Sequence, residues 1–349
     1  MNKCPICEKD ADKLNAHLVP WFLIKNAITQ SGSGIRDMEL SFTIDTQNFT
    51  KIYPGRSILP EKLEEFGELS ELQKEKDNPY SRDNLICIKC EEKFSRLEAI
   101  FASQFSEKRI AAAGQDAHIN INGFPLMIDA KYHYSLFQLF VQSIFYRCSI
   151  GRFDGFVLDN RIEGMILDNI RCAFLTGDFN KIKPLTAIYI PHYFPIVVTR
   201  FLNEKDSDPT SNFIVVTSSK FPYFIFAANW TFQLFEKRKQ LKNPVQWLFG
   251  LSQVLNAESA DKKIGSNSHL IIIDPNTGKN IAANIKVFFV EKKIQGIRKK
   301  IRELYEHIFH TKGDAFTLDY IYNRFFHHFN NKKSDFESMV NAFLDLKLL

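Results

Sequence analysis

The chain has 349 residues, with 45 Lys+Arg against 40 Asp+Glu for a net charge of +5, and it is 45% apolar with six cysteines. That length supplies a sizeable core in two or three domains, and the apolar content with only 15 glycines excludes a disordered polymer. Six cysteines are too sparse for a disulfide scaffold, and the mild positive charge permits a nucleic-acid partner without demanding one.

Met1-Asn2-Lys3-Cys4-Pro5 opens the chain without an apolar stretch. No run anywhere reaches the roughly 18 apolar residues of a spanning helix, so we expect no membrane contact and a cytoplasmic, thiol-reducing location. Trp21 to Ala27 follow Pro20 and predict a short helix, Ser31-Gly32-Ser33-Gly34 a flexible break, and the charged residues 61–76 a surface helix or excursion. Phe94, Leu97, Ile100, Phe101 and Phe105 recur at helical spacing, which predicts an amphipathic helix from Glu91 to Phe105, beginning at a cysteine pair. Tyr132 to Cys148 and Arg161 to Leu175 read as two apolar-faced helices, with Cys148 and Cys172 as buried core thiols.

The period then shifts. Leu185 to Thr199, Phe213 to Thr217 and Tyr223 to Ala228 are β-branched and aromatic and predict strands. Leu270 to Asp274 and Ile285 to Val290 suggest one more strand pair around the turn Pro275-Asn276-Thr277-Gly278, and Ile297 to Leu349 returns to helices. The many phenylalanines of the middle region read as core, although exposed ones would suit base stacking. No glycine-rich phosphate loop, nucleophile elbow or kinase signature is found.

Cys4-Pro5-Ile6-Cys7 and Cys87-Ile88-Lys89-Cys90 are two CxxC pairs, the spacing that turns four thiolates towards one tetrahedral Zn²⁺. Closing the long loop between them costs about 4 kcal/mol, well below the roughly 10–16 kcal/mol that a structural zinc contributes in small peptides. Lys3, Lys9, Lys89 and Lys93 flank the ligands and would either offset the anionic zinc centre or serve solubility. With a helix supplying the last ligands, the unit reads as a treble-clef-like scaffold.

Within this frame stand Ala16-His17-Leu18-Val19-Pro20 and Asn84-Leu85-Ile86-Cys87-Ile88-Lys89-Cys90-Glu91. Here the chain resembles the cysteine-containing HNH, or ββα-metal, endonucleases, whose pattern runs CxxC, Asp-His-Ile-x-Pro, then Asn-Leu-x-x-Leu-Cys-x-x-Cys-His. It is also similar to a variant with Ser-His-Ile-Ile-Pro found among nuclease-like proteins of bacterial anti-phage defence systems. The resemblance covers roughly residues 1–105. It implies that His17 is the general base and that Asn84 orients the base or its metal partner. Glu91, in the place of the family's last histidine, would then hold a catalytic Mg²⁺ or Mn²⁺, with Glu98 on the same helix face as a second ligand.

Each residue has a plainer role open to it: His17 as a zinc ligand or packed ring, Asn84 in an Asx turn, Glu91 as a helix-dipole partner, Glu98 as a solvated charge. Ala16 stands where the family has a metal-binding Asp, and the stretch from His17 to Asn84 is far longer than in compact members.

Lys292, Lys293, Arg298, Lys299, Lys300 and Arg302 crowd a stretch without acids, which we expect at a basic helix entrance lying on phosphates, or else as one solvated face. His307, His310, His327 and His328 are expected on helix surfaces. The expected fold class is α+β: a treble-clef or ββα-metal zinc module over 1–110, then a mixed helical and antiparallel-sheet domain over 111–290 for sensing, partner or substrate binding, then a helical C-terminal segment over 291–349. The expected activity is metal-dependent hydrolysis of DNA phosphodiester bonds, as the effector of a defence system. Two alternatives stand beside it: a non-catalytic zinc module recognising nucleic acid or a protein, and a nuclease directed at RNA.

Overall fold

The structure, a computed structural model, describes residues 2–28, 40–43, 51–54, 80–104, 118–121, 124–127, 134–176, 189–201, 214–217, 222–227, 229–237, 240, 268–273, 275–330 and 335–346. Over these residues the chain is mixed α and β and ends in helices. The elements are β1 (Ala16–His17), α1 (Trp21–Ile28), β2 (Leu40–Thr43), β3 (Lys51–Pro54), β4 (Ser81–Arg82), α2 (Ile88–Gln104), β5 (His118–Ile121), β6 (Phe124–Met127), α3 (Tyr134–Ile150) and a 3-10 turn (Phe153–Gly155). There follow α4 (Asn160–Thr176), β7 (Ile196–Phe201), β8 (Ile214–Thr217), β9 (Tyr223–Ala227), β10 (Trp230–Leu234), β11 (Ser268–Ile273), α5 (Pro275–Phe309), α6 (Ala315–Asn330) and α7 (Asp335–Leu346). The flexible break at 31–34 and the helix or excursion at 61–76 lie outside the described residues.

β1 and β4 are short but tightly joined. They pair antiparallel with Ala16 opposite Arg82 and His17 opposite Ser81, and the pairing continues beyond the strands. Leu18 N–H donates to Tyr80 O at 2.7 Å, Asn84 N–H to Lys13 O at 2.8 Å, and Lys13 N–H to Ile86 O at 3.1 Å. Asp83 Oδ1 accepts from Asn15 N–H at 2.7 Å. Asp12 Oδ1 accepts from Ile88 N–H at 2.9 Å, so a residue far back in the chain caps the first turn of α2, whose free N–H groups need such a partner.

α2 turns Phe94, Leu97 and Phe101 inward at helical spacing. They meet α3, whose residues from Leu136 to Ser149 are buried on every side, which makes this helix the axis of the core. Phe101 stacks on Phe140 at 3.7 Å, and Phe94 meets Phe174 of α4 edge-on at 4.9 Å. One continuous buried cluster runs from Cys4 to Leu234. A second is built from Ile297, Ile301, Ile321, Phe325 and Met339 of the C-terminal helices.

The sheet beneath α3 has the order β5-β6-β11-β7-β10-β9-β8, antiparallel except for the parallel pair β11 and β7. The first expected strand, Leu185 to Thr199, is shorter than its composition suggested. Residues 189–195, which contain Pro191 and Pro195, are irregular, and the strand begins at Ile196. Side chains hold that segment instead: Gln138 and Asn169 each bond backbone groups of it, with Gln138 Nε2 donating to Phe194 O at 2.7 Å and His192 N–H donating to Asn169 Oδ1 at 2.8 Å.

A larger correction concerns Pro275 to Val290. The expected turn and strand are the first turns of the 35-residue α5. Proline at a first helical position has its φ already set and lacks only an N–H that would go unbonded there. Ile281, Ala282 and Ile285 are buried at helical spacing. The basic stretch 292–302 therefore lies in mid-helix rather than at a helix entrance, and α5 runs unbroken across position 290.

Candidate functional site

Four thiols converge. The Sγ atoms of Cys4, Cys7, Cys87 and Cys90 all lie within 4.8 Å of one another, close enough to hold one metal ion. A tight turn presents the first pair: Cys4 N–H bonds Lys9 O at 2.7 Å, Glu8 N–H bonds Cys4 O at 2.8 Å, and Glu8 takes a φ of 62° to close it. The second pair occupies the first turn of α2, where Cys90 N–H and Glu91 N–H both donate to Cys87 O at 3.1 Å. Among the described residues the donor set is four sulfurs, which fits a structural zinc site.

The thiols share protons unequally. A hydrogen bond from Cys90 brings the Cys4 thiol down to about 4 despite burial, and the same bond together with burial pushes the Cys90 thiol far up. Burial also raises Cys87. Metal binding must therefore expel protons from Cys87 and Cys90.

Two of the four flanking lysines are engaged away from the sulfurs. Lys3 pairs with Asp10 at 2.7 Å, and Lys93 turns away to donate to Phe174 O at 2.6 Å on α4. A cation from elsewhere comes close: Arg171 of α4 donates to Pro5 O at 2.6 Å, docking the first cysteine turn against the helical core.

His17 stands on β1, half exposed, its ring 5.9 Å from that of Trp21. Its Nδ1 lies 3.5 Å from Glu91 Oε1, and its backbone N–H donates to the same oxygen at 3.3 Å. Glu91 is buried and its Oε2 has no hydrogen-bond partner. Burial pushes the Glu91 carboxyl up, but the hydrogen bond to His17 and the charge of Arg147 outweigh it, and the net direction is down. The group is thus held as a carboxylate beside the imidazole.

Glu98 lies within electrostatic reach of Glu91 and His17, but its ion-pair partner is another residue. It forms an ion pair with Arg147 of α3 at 2.6 Å, and burial raises its carboxyl in spite of that partner. Arg147, 1% exposed, also donates to His17 O at 3.1 Å and lies over the Phe94 ring at 4.8 Å. Sequence reasoning missed this residue. Its signal was available, because Arg147 is the only charged residue in the whole of α3.

Asn84 is exposed in the turn before α2 with a φ of 54°. Its N–H fixes Lys13, and the orienting contact to His17 that the resemblance gave to Asn84 is made by Glu91. Ala16 is fully buried. Beside Glu91 a cleft of about 460 Å³ opens between Lys13 and the α2 face that runs from Ile88 to Ala99.

Farther away, Lys292, Arg298, Lys299 and Arg302 are exposed on α5, and Lys300 is partly so. Arg298 is drawn to Asp319 at 3.8 Å and to the Tyr322 ring at 4.7 Å, while Lys299 pairs with Glu303 at 3.6 Å. The Lys293 side chain lies outside what the structure describes. Among the four C-terminal histidines, His328 is nearly buried and bonds Asp345 at 2.8 Å.

Among the described helices none is long and apolar enough to cross a membrane. Comparison with protein-family models, with curated proteins and with solved structures gave no match.

Proposed function

We propose that the chain is a metal-dependent endonuclease of the HNH type acting on phosphodiester bonds of DNA, with the cysteine turn, the β1–β4 pair and α2 as a treble-clef-like zinc module. The observation that supports this most is the approach of His17 Nδ1 to Glu91 Oε1 at 3.5 Å, on strand and helix elements that the four cysteines tie together. The resemblance in the sequence supplies the reaction type and the link to phage defence.

In this reading His17 accepts a proton from water at Nε2, while Glu91 holds the ring in the required tautomer through Nδ1. Glu91 also offers Oε2, a buried carboxylate oxygen with no partner, towards Mg²⁺ or Mn²⁺. One carboxylate suffices for such an ion when water and substrate phosphate fill the remaining positions. Bound there, the cation would stabilise charge on the leaving oxygen. Glu98 is spoken for by Arg147 and is withdrawn as a ligand.

The buried Ala16 favours a second reading, a zinc module that binds nucleic acid or protein without cutting, because the place of the family's metal-binding carboxylate holds a methyl group. Cleavage of plasmid and of RNA in Mg²⁺ and Mn²⁺ by wild type and His17→Ala separates the two. The nuclease reading expects plasmid nicking by wild type, a loss of about 100-fold or more in His17→Ala, and equal zinc content in both proteins. No cleavage by wild type supports the second reading, and preference for RNA replaces the substrate.

A further inference from the structure

We propose that the cleft beside Glu91 is a seat for the backbone of double-stranded DNA, with Lys13 and Arg96 as its phosphate-binding residues on opposite walls and Ser95 donating between them. This assignment rests on the nuclease reading for its substrate class, but its residues lie outside every motif that led to that reading.

One wall is α2. Ile88, Glu91, Glu92, Ser95, Arg96 and Ala99 fall at helical spacing on a single face and line the cleft along three turns. At a rise of about 1.5 Å per residue this face is about 16 Å long.

The other wall is Lys13, and it is not an ordinary surface lysine. Both of its backbone groups are bonded, its N–H to Ile86 O at 3.1 Å and its C=O to Asn84 N–H at 2.8 Å. The residue before it is fastened as well, through Asp12 to the first N–H of α2. The Lys13 backbone is therefore fixed relative to Arg96, and its ammonium is delivered to the cleft without ordering a loop. Preorganised cations lose less on binding than those carried by mobile segments.

The carboxylates explain why the cleft is not a general anion trap. Glu91 and Glu92 offset Lys13 and Arg96 in charge, so the cleft becomes cationic only when a divalent ion joins Glu91. Phosphate binding and loading of the cation would then reinforce each other, whereas a cleft built from lysines alone would hold nucleic acid with or without metal. Asn84 gains a role from the same geometry. It is the turn residue that pins Lys13, which accounts for a left-handed Asn immediately before the second cysteine pair.

The test uses the zinc-loaded full chain, a fluorescein-labelled 20-base-pair duplex, and Ca²⁺ as the divalent ion. Anisotropy gives the affinity across a salt series for wild type, Lys13→Gln, Arg96→Gln and the double variant. Each lost phosphate contact lowers the slope of log K against log salt by about 0.9 for duplex DNA. The single variants are expected to lose about one unit of slope, the double variant about two, and wild type is expected to bind more weakly when Ca²⁺ is omitted.

Unchanged slopes in Lys13→Gln and Arg96→Gln, with melting temperatures like that of wild type, overturn the assignment. So does absence of duplex binding by wild type at low salt, or binding to the matching RNA tighter than to DNA. If the slopes shift as expected while wild type and His17→Ala cleave equally or not at all, the nuclease reading fails and the DNA seat stands.

Discussion

Arg147 shows how a single buried charge changes what its neighbours do. It neutralises Glu98, holds the carbonyl of His17 and lies against Phe94, all from a helix outside the stretch that resembles a nuclease. Leaving Glu98 buried without it is expensive. Arg147→Met is expected to lose about 3–5 kcal/mol of stability, and the double variant Arg147→Met with Glu98→Met to recover most of it, because an apolar pair of similar volume avoids burying either charge. Urea unfolding of the three proteins measures this, and equal losses in the single and double variants would count against it. The cysteines carry a second expectation at this scale. Cys87→Ser should leave the chain without zinc by metal analysis, and adding Zn²⁺ to the metal-free wild type should release protons in an unbuffered titration, since Cys87 and Cys90 hold theirs.

At the scale of elements, α2 and α4 were legible because each keeps its apolar residues at one period over several turns, α1 because Pro20 marks its start, and α3 because its apolar run is too long for a strand. The strand from Leu185 was read too long, since β-branched content says nothing of the ladder hydrogen bonds that Pro191 and Pro195 forgo. Ile285 to Val290 was misread for a related reason: a short apolar run has no period of its own, and burial of Ile281, Ala282 and Ile285 on one face decided for helix. β10 went unseen as a separate strand, its register set by pairing with β7 and β9 on either side. The pairing of α6 with α7 gives a pH dependence. Asp345 accepts from His328 at 2.8 Å and from Arg324 at 2.5 Å. Burial raises its carboxyl, but those bonds prevail and hold it below the ordinary range. A carboxylate so lowered stabilises the fold above its unfolded value and loses that contribution as pH falls through the folded one. Asp345→Asn is therefore expected to melt a few degrees below wild type at pH 7, with the gap closing below about pH 4. A gap that stays constant with pH would show that the charge is not the source.

For the whole molecule, the continuous core from Cys4 to Leu234 is the governing fact. Leu18 O accepts from the Cys148 thiol at 3.6 Å, Arg171 clasps Pro5 O, and Phe94 and Phe101 pack on α3 and α4. The fragment 1–110 would expose those surfaces, and zinc would fix only its cysteine end. Loaded with zinc, the fragment is expected to bind a hydrophobic dye and give a collapsed proton NMR spectrum, while the full chain does neither. A well-dispersed spectrum from the fragment would show that the module folds alone.

The sequence by itself determined the metal cluster, because CxxC spacing aims both thiols of a pair at one point whatever surrounds them, and it determined the helices whose period repeats over many residues. It also marked His17, Asn84 and Glu91 as residues to watch, with the orienting role given to Asn84. Tertiary structure alone decided that Glu91 rather than Asn84 meets His17, that Glu98 belongs to Arg147, and that Asn84 serves Lys13. These outcomes depend on which side chains a distant helix brings alongside, and in a buried setting the nearest countercharge settles the matter. Spacing along one segment carries no record of it.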